Sequence, residues 1–315
     1  MNQPTVCIVI LNYNGRELLE RFLPAIARTD YQPLELVVVD NASTDDSVEW
    51  LRQHWPHLTV LPQSYNRFWA GGNNAGIRYA LEKGHHYVAF ANNDIEPHPA
   101  WIREAVRFSQ SNPQFGMIGF RLFNQDKSRA AFEEVCRTEL QQESHPVTHV
   151  DGCSLFCDSN VFRTLGLFDE DYLIYCEESD LEYRALQAGW QAAQVNVPVW
   201  HLGEATMQRV ALRRAYLQMR NIIRFNFKLH GIVSGLRMIK TVLNRACNPW
   251  PPPDLAKGYF MQRYRPAGLA TNAALAFAAI GWNLLHLPRT LRIGRQDRRR
   301  IALCRAQKGS EPAAQ

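Results

Sequence analysis

Three acidic side chains fall within four positions of the sequence, as Glu177, Glu178 and Asp180. They open a segment of helical periodicity that Gly189 is expected to end. Acids in the first turn of a helix complement its dipole, which is one explanation of the cluster. The other explanation is chemical, because a carboxylate held at a helix end beside a crevice can act as a general base.

A second polar segment, Asn92-Asn93-Asp94, follows the apolar run at residues 87–91. A Mg²⁺ or Mn²⁺ ion on a diphosphate binds one or two carboxylates together with phosphate and water oxygens. Asp94 supplies a carboxylate and Asn92 an amide oxygen, and His201, which ends a later predicted strand, can add an imidazole nitrogen. Capping of the following helix by Asn and Asp, and a purely structural His201, are the alternatives.

A third polar segment begins at Asp40, which follows the apolar run Val37-Val38-Val39. A carboxylate at the carboxyl end of a strand can accept hydrogen bonds from a uracil or thymine imide, or from ribose hydroxyls. Alternatively, Asp40 and Ser43 cap the turn and the helix that follows.

A fourth segment, residues 66–76, contains three glycines and three asparagines. We predict a loop here, followed by a helix from about Asn73, so that backbone amides can approach anionic groups closely. The spacing is not G-x-G-x-x-G, so a dinucleotide fingerprint is unsupported. A structural glycine turn is the alternative.

The elements that must position these residues alternate, over the first 120 residues, between short β-branched runs and longer amphipathic stretches. Strands are predicted at 6–12, 34–40, 58–61 and 87–91, and helices at 17–28, 45–54, 73–82 and after Pro99. Apolar strands joined by helices predict an α/β fold whose mostly parallel sheet is covered on both faces. Ligands bind such sheets beyond the carboxyl ends of the strands, where one crevice should collect Asn12, Asn14, Asp40, Asn41, Asn92, Asn93 and Asp94.

The pattern weakens between residues 120 and 149, where we expect irregular structure facing an acceptor. Beyond it, strands are predicted at 152–158 and 193–199, and helices at 160–165, 177–188 and 207–229. An aromatic loop is predicted at 168–175, and the proline-rich run at 248–253 predicts a boundary.

Positive charge is concentrated in the tail: residues 230–315 carry 14 Lys and Arg against 3 Asp and Glu, whereas residues 1–229 carry 21 against 27. A basic tail suits nucleic acid or an anionic membrane. We expect the membrane and no nucleic acid, because five apolar side chains share one face of a predicted amphipathic helix: Ala273, Phe277, Ile280, Leu284 and Leu287. Asn272, Asn283 and His286 argue against a membrane span. Packing of this helix on the rest of the protein is the alternative.

The seven cysteines are odd in number and scattered, which fits neither a disulfide framework nor a set of zinc ligands. The N-terminal residues show no secretion signal, because residues 6–11 already have the pattern of a strand. We therefore expect a cytoplasmic protein.

Taken together, these segments closely resemble the family-2 glycosyltransferases of the GT-A fold, particularly the rhamnosyltransferase-like branch of bacterial polysaccharide assembly. The match covers roughly residues 5–230, and its specificity comes from the order in which individually weak motifs follow one another. The motifs are Val-Ile-Leu-Asn-Tyr-Asn at 9–14, Val-Asp-Asn-Ala-Ser-Thr-Asp at 39–45, Gly-Gly-Asn-Asn-x-Gly at 71–76, Asn-Asn-Asp at 92–94, Phe-Asp-Glu at 168–170, Tyr-x-Glu-Glu-x-Asp-Leu at 175–181, and His201 with Arg220-Asn221.

The resemblance implies an inverting, metal-dependent enzyme on the cytoplasmic face of the inner membrane. It would move a sugar, with rhamnose as the first candidate, from a dTDP- or UDP-sugar to a hydroxyl of a lipid-linked or polysaccharide acceptor. It implies that Glu178 is the base and that Asp94 holds Mg²⁺ or Mn²⁺, with His201 and Asn92 as further ligands. Contacts to the donor are expected from Asn12, Asn14, Asp40, Asn41, Asn66, Gly72, Asn73, Asn93 and Asp94. Acceptor-binding or supporting roles are expected for Glu177, Asp180, Asp151 and Arg220.

Helical spacing favours the same base. Glu178 shares a face with Leu181, Ala185 and Ala188, so Glu177 should lean away from the crevice.

Three residues depart from the family pattern. Asn92 stands where the family has an aspartate, Glu178 stands where the acidic pair usually ends in Asp, and Phe68 replaces a glycine.

The predicted organisation is a catalytic domain at 1–230, with a nucleotide-sugar-binding half to about residue 120, followed by a basic helical extension at 231–315. Two other classes are considered. A sugar nucleotidyltransferase would need a Gly-rich basic signature in the first βα loop, which Asn12-Tyr13-Asn14-Gly15 lacks. A non-catalytic nucleotide-sugar-binding homologue is compatible with Asn92.

Overall fold

The chain divides into two compact units. The computed structural model describes residues 3–124, 128–138, 140, 143–203, 211–247 and 268–310. One unit comprises the chain up to Leu173, then Glu177–Gly203 and the residues from Ile301 onward; the other comprises Ile174–Cys176 and the residues between Gly203 and Ile301. This division does not coincide with the predicted boundary at residue 230, and the two predicted functional domains stay a prediction.

The first unit is built on a nine-stranded sheet. Its strands are β1 Val6–Asn12, β2 Leu34–Asp40, β3 Thr59–Pro62, β4 Tyr87–Asn92, β5 Ile95–Pro97, β6 Phe115–Asn124, β7 Ser144–Val147, β8 Ser154–Asp158 and β9 Gln191–His201. The spatial order is β3-β2-β1-β4-β8-β6-β9-β5, and β7 pairs with β9. Strands β1 to β4 are parallel and β6 is parallel to β9, whereas β5, β7 and β8 run antiparallel to their neighbours. The predicted α/β fold with a mostly parallel sheet is confirmed.

Helices cover both faces of this sheet. They are α1 Arg16–Ala27, α2 Ser47–His54, α3 Phe68–Glu82, α4 Trp101–Ser111, α5 Arg129–Arg137, α6 Ser159–Leu165 and α7 Glu177–Gln187. Alternate residues of β1 divide between two cores, since Ile8 packs with α1 and α4 whereas Val9 packs with α3, α6 and α7. Strands buried on both faces are apolar throughout, which is why residues 6–11 of β1 and residues 36–39 of β2 were readable as continuous apolar runs.

The glycine-rich segment is helical from Phe68, so the predicted loop is wrong over residues 68–72. Gly72 and Gly76 lie inside α3, where a Cβ would come within 2.4 Å of Leu11 Cδ1 and 2.3 Å of Val9 Cγ1, respectively. These glycines let α3 approach β1 closely. Inside a helix, their backbone amides are used by the helix itself, so the glycines are explained by packing.

We expect Gly76→Ala to lower the free energy of unfolding. Overpacking against the fully buried Val9 costs about 1–3 kcal/mol, which exceeds the gain of up to about 1 kcal/mol from alanine in a helix. The matched control is Gly281→Ala, because Gly281 is also helical and has no atom near its added Cβ. Urea titration should show opposite signs for the two variants; stabilisation by both would contradict the packing argument.

The second unit is helical. It contains α8 Ala211–Phe225, a π-helical turn at Asn226–His230, α9 Ile232–Cys247, α10 Leu269–Leu285, and α11 Leu287–Ser310 as far as Arg300. The predicted start of α8 at residue 207 and the proline-rich boundary at 248–253 lie outside the described residues. Within the described ranges, no helix is both long and apolar enough to cross a membrane.

Helix α10 is buried along the face that carries its asparagines, not along the apolar face predicted to meet the membrane. Ala276, Ala279 and the two asparagines Asn272 and Asn283 are buried, whereas Phe277 is 63% exposed. Asn283 is accommodated because its Nδ2 donates to Arg220 O at 2.9 Å and to Ala279 O at 2.9 Å. The asparagines therefore belong to the packed face and do not interrupt it.

Candidate active site

Polar side chains converge where β1, β2 and β4 end. Asn12 Nδ2 donates to Asp40 Oδ1 at 3.1 Å, and Asn93 Nδ2 donates to Asn12 Oδ1 at 2.8 Å. Ser43 holds the Asp40 carboxylate from both sides, with its N–H 2.9 Å from Oδ2 and its hydroxyl 2.6 Å from Oδ1. The predicted crevice residues Asn12, Asp40 and Asn93 are thus brought together, and Asp40 also caps its own turn, as the alternative interpretation required.

Asn14 fastens the loops that follow β1 and β2. Its Oδ1 accepts from Thr44 N at 2.6 Å, and its own N–H donates to Ser43 Oγ at 2.8 Å. Asn14 adopts a φ of 48°, which asparagine tolerates better than most residues. The carboxyl ends of β1 and β2 are therefore tied into one rim.

The turn that leads into α3 is held by Asn41 and Asn66. Asn41 Nδ2 donates to Asn66 Oδ1 and to Phe68 O, each at 3.0 Å, and its Oδ1 accepts from Arg67 N at 2.8 Å. These bonds hold Phe68 at a φ of 57°, a conformation that favours glycine. The residue that replaces the family's glycine thus keeps a glycine-like backbone.

Asn73, which was expected to contact the donor, is buried in α3. Its Nδ2 donates to Trp69 O at 3.0 Å, and the side chain is 2% exposed. The next residue, Asn74, is also buried and is bonded to both backbone groups of Phe168. These two amides hold α3 and the segment beside it in place.

Of the three proposed metal ligands, Asn92 ends β4, Asp94 lies in the turn between β4 and β5, and His201 ends β9. Asp94 Oδ1 is 3.3 Å from His201 Nε2, and β5 pairs Ile95 with His201. His201 Nδ1 is 3.2 Å from Asn124 Oδ1, and Asn92 Oδ1 accepts from Trp69 Nε1 at 3.4 Å. Among the residues that the structure describes, no group of three or more His, Cys, Asp or Glu side chains could hold a metal ion.

We call residues 149–153 the connecting segment, because their hydrogen bonds reach from helix α7 to the end of strand β4. Cys153 O accepts from Asn92 N at 2.9 Å, and Cys153 N donates to Asp151 Oδ1 at 3.0 Å. Burial, with Asp151 and Asp94 adding negative charge, raises the pKa of the Cys153 thiol. Gly152 lies beneath Trp69, 3.0 Å from the ring to an added Cβ. Asp151 therefore lies at the same end of the sheet as Asp94.

All three acids at the start of α7 are wholly or partly withdrawn from water: Glu177 and Asp180 are buried and Glu178 is half-buried. Burial raises the pKa of Glu178 to about 7, with Glu182 and Asp151 adding to the rise and the charge of His149 opposing it. Burial and the neighbouring Glu178 charge raise the pKa of Glu177 as well. Glu177 is only 3% exposed, so it is enclosed by the protein. That it leans away from the crevice stays a prediction.

The third acid, Asp180, is part of a buried ion pair. Its Oδ2 accepts from Arg184 Nε at 2.8 Å, and its Oδ1 accepts from Tyr172 OH at 3.3 Å. Arg184 also donates to the carbonyls of Leu165 and Leu167 at 2.9 Å. The Asp180–Arg184 pair thus joins α7 to the end of α6 and to residues 167 and 172 beyond it. This favours a structural role for Asp180.

We expect Asp180→Asn to lower the free energy of unfolding by about 3 kcal/mol, because breaking a buried pair leaves the Arg184 charge uncompensated. The matched control is Glu20→Gln, which breaks the exposed i,i+4 pair with Arg16 and should cost less than about 0.5 kcal/mol. Thermal and urea unfolding compare the two. Equal small effects would show that the buried pair is not a structural tie.

Arg220 and its neighbour lie in the second unit. Arg220 Nε donates to Asn221 Oδ1 at 2.8 Å, and its guanidinium stacks 4.4 Å above the ring centroid of Trp282. Asn221 Nδ2 donates to Ile174 O and Tyr175 O at 2.8 Å. The Arg-Asn motif thus fixes the turn before α7, and the acceptor-binding role of Arg220 stays a prediction.

Sequence alone assigned no role to several residues that hold this region together. Glu170 accepts from Arg67 at 2.9 Å and from Arg78 and Asn74 at 3.0 Å, fastening the aromatic segment to α3. In the sequence, Glu170 belongs to the Phe-Asp-Glu motif at 168–170, but no function was assigned to it. The His149–Glu182 pair had no sequence signal, because its members are 33 positions apart.

Known proteins resemble this chain in sequence and in fold. Residues 7–157 match the family model for glycosyl transferase family 2. The chain is 28% identical over 204 residues to the low-salt glycan biosynthesis hexosyltransferase Agl10 of Haloferax volcanii, an alignment covering 60% of this chain and 64% of that protein. It is 25% identical over 222 residues to the N-acetylglucosaminyl-diphospho-decaprenol L-rhamnosyltransferase of Mycobacterium tuberculosis, covering 60% and 72%.

A solved structure shares the fold. The mannosyltransferase PcManGT from Pyrobaculum calidifontis, in complex with GDP-Man and Mn²⁺, superposes with a TM-score of 0.56 over 90% of this chain and 88% of that one, at 20% identity. The alignment with Agl10 spans less than two thirds of that relative's length.

Proposed function

Because this chain carries a glycosyltransferase family 2 domain of the GT-A fold, we propose that it transfers a hexose from a nucleoside diphosphate to an acceptor hydroxyl with inversion at the anomeric carbon. The observation that carries this proposal is a half-buried carboxylate, Glu178, whose Oε2 is shielded from water. Its pKa is about 7, and it lies in the same unit as the polar strand ends. A general base works best when its pKa lies near the working pH.

The rim around Asp40 is the proposed nucleoside site. Asp40 is 2% exposed and already hydrogen-bonded by Asn12 and Ser43, so its carboxylate is held in one orientation. A fixed acceptor at a strand end suits the imide N–H of uracil or thymine, or a ribose hydroxyl. Asn14, Asn41, Asn66, Asn73 and Gly72 would act mainly by shaping this rim.

Asp94 and His201 are proposed to hold a divalent cation; the PcManGT structure that shares this fold is a complex with Mn²⁺. Their 3.3 Å separation suits two adjacent ligands of an octahedral ion, which lie about 3 Å apart when each bond is about 2.1 Å. Asn92 replaces the first aspartate of the family motif and would add a neutral oxygen. When bound, Mg²⁺ or Mn²⁺ would neutralise charge on the departing nucleoside diphosphate.

The transfer is a single displacement. The charged Glu178 accepts the proton of the acceptor hydroxyl while that oxygen forms a bond to the anomeric carbon. The bond from this carbon to the nucleoside diphosphate breaks on the opposite face, and the configuration inverts. Glu177, Asp151 and the buried Asp180–Arg184 pair support the base and the acceptor around it.

The donor and acceptor are proposed from the relatives. A rhamnosyltransferase acting on a decaprenol-linked sugar makes dTDP-rhamnose the first donor to try and a lipid-linked glycan the first acceptor. Thermal-shift measurements with a panel of dTDP-, UDP- and GDP-sugars test the nucleotide site, because a ligand of the folded state raises its melting temperature. No shift with any nucleotide sugar would remove the proposal.

We further propose that the exposed face of α10 and α11 rests on an anionic membrane surface at the cytoplasmic side. Leu284 and Leu285 are 51% and 81% exposed, close along the chain to the exposed arginines 292, 295 and 299. Over residues 268–307, the one acidic side chain, Asp297, is buried against Lys228. An apolar stripe that continues into unneutralised arginines is the pattern of an interfacial helix.

We expect Arg292→Glu/Arg295→Glu to weaken binding to anionic vesicles by at least about thirtyfold, since each basic residue near such a surface contributes about 1 kcal/mol. The matched control reverses two exposed arginines of the first unit, Arg52 and Arg137. Flotation with phosphatidylglycerol and with phosphatidylcholine vesicles measures both. Equal flotation of the two double variants would show that this face of α10 and α11 does not bind the membrane.

A further inference from the structure

His149 and Glu182 form an ion pair beside the proposed base. His149 Nδ1 lies 2.9 Å from Glu182 Oε2, and Val150 N donates to Glu182 Oε1 at 2.6 Å. Both oxygens of Glu182 are therefore occupied by the connecting segment. Glu182 follows Glu178 by one helical turn, so the two carboxyl groups share a face of α7.

The charge of His149 is held in place by this arrangement. Its hydrogen bond to Glu182 and the surrounding negative charge raise the pKa of His149 to about 9, so that the imidazole is positive at neutral pH. Its side chain is 40% exposed, whereas that of Glu182 is 9% exposed. A buried carboxylate thus fixes the position of this cation.

The charged groups around Glu178 come from two elements. Helix α7 contributes Glu177 and Glu182, and the connecting segment contributes Asp151 and His149. Asp180 and Arg184 on the adjoining face of α7 neutralise each other. Of the elements packed beside α7, α6 directs Arg163 to the carbonyl of His85, and β9 directs His201 to Asp94.

We propose that His149 is a positioning residue for the transfer reaction: anchored by Glu182, it keeps the Glu178 carboxylate charged, and so able to accept a proton, at neutral pH. Four carboxyl groups in one buried cluster repel one another, and a positive charge among them favours their ionised forms. His149 attracts Glu178 and also neutralises Glu182, which would otherwise repel it. The inference rests on the proposed role of Glu178 as the base.

The same contacts fix the connecting segment. Glu182 holds Val150, Gly152 lies under Trp69, and Cys153 is bonded to Asn92. His149 is thus placed by groups at both ends of a short segment, so its position relative to Glu178 is a property of the fold. A substitution that keeps a positive charge at this position should preserve the effect.

The test is the dependence of kcat/KM on pH for the wild type, His149→Gln and His149→Lys. The wild type should lose activity as pH falls through about 7. We call this fall in kcat/KM the acid limb. In His149→Gln the acid limb should move to higher pH, with about a tenfold loss of kcat/KM on the acid side for each pH unit of the shift. The plateau of kcat/KM at alkaline pH should be unchanged. His149→Lys should return the limb toward the wild-type position. The matched control, His145→Gln, removes an exposed histidine of β7 and should not move it.

Two results would overturn the inference. A limb that stays in place in His149→Gln, or a loss of rate that is equal at every pH, would assign His149 a purely structural role. A wild type with no acid limb would instead remove Glu178 as the base, and with it this inference. Melting temperatures confirm folding of each variant; should His149→Gln not fold, His149→Asn against His149→Lys makes the same neutral-to-charged comparison.

Discussion

Glu178→Gln should reduce turnover by about a hundred- to ten-thousand-fold, the usual cost of losing a general base. The amide keeps the shape of the side chain but cannot accept the proton. Nucleotide-sugar binding and the melting temperature should change little, because we propose that Glu178 contacts the acceptor and not the nucleotide, and because Gln preserves its shape. Initial rates at saturating donor, with isothermal titration of the donor, measure both quantities.

The pH dependence gives the same prediction a second readout. The base must be unprotonated, and burial raises its pKa to about 7, so activity should rise as pH increases through this value. Glu178→Gln should abolish that rise. Glu177→Gln is the comparison, since Glu177 is the neighbouring acid at the same helix end and is also raised in pKa by burial. Near-normal turnover in Glu178→Gln, with Glu177→Gln or Asp180→Asn inactive, would move the base to another acid.

Asp94→Ala should abolish activity, with a loss of at least about a thousandfold, because a methyl group cannot hold a cation against water and metal assistance is worth several kcal/mol. EDTA should have the same effect on the wild type, reversed by Mn²⁺ or Mg²⁺. His201→Ala should be milder, raising the metal concentration needed for half-maximal activity. Its imidazole lies 3.3 Å from Asp94 and is one ligand among several.

Two results would contradict the metal assignment. Full activity of Asp94→Ala, or of the wild type in EDTA, would show that the charge on the leaving diphosphate is balanced by protein cations alone. A matched control is Asp46→Ala, an exposed aspartate with 69% of its side chain accessible, outside the proposed ligand set. It should retain wild-type activity and wild-type metal dependence.

Sequence patterns predicted the strands and helices whose bounds depend on residues close together in the chain. The bounds of β1 and β2 were predicted to the residue, because each is an apolar run closed by a polar side chain. Those closing residues, Asn12 and Asp40, do meet at the rim. Helix α7 was predicted from its acidic start, and the pairing of Asp94 with His201 from the family motifs.

The remaining features depend on contacts that are distant in sequence. Three glycines argue against a helix at residues 68–82 by propensity, yet β1 requires small residues there. Asn283 is buried in α10 because the carbonyl of Arg220, 63 positions away, accepts its hydrogen bond. Likewise, the insertion of antiparallel β8 between β4 and β6 and the enclosure of Glu177 follow from tertiary packing, which periodicity does not encode.

The most direct test of sugar transfer is acceptor-dependent release of nucleoside diphosphate from dTDP-rhamnose and the other donors that shift the melting temperature. With Mn²⁺ and a lipid-linked N-acetylglucosamine acceptor, we expect the wild type to release nucleoside diphosphate only when acceptor is present, in step with formation of an inverted glycoside. Tight binding of a nucleotide sugar without any release would identify a non-catalytic binding protein, and release of pyrophosphate from a nucleoside triphosphate and a sugar phosphate would identify a nucleotidyltransferase; either result would contradict the account.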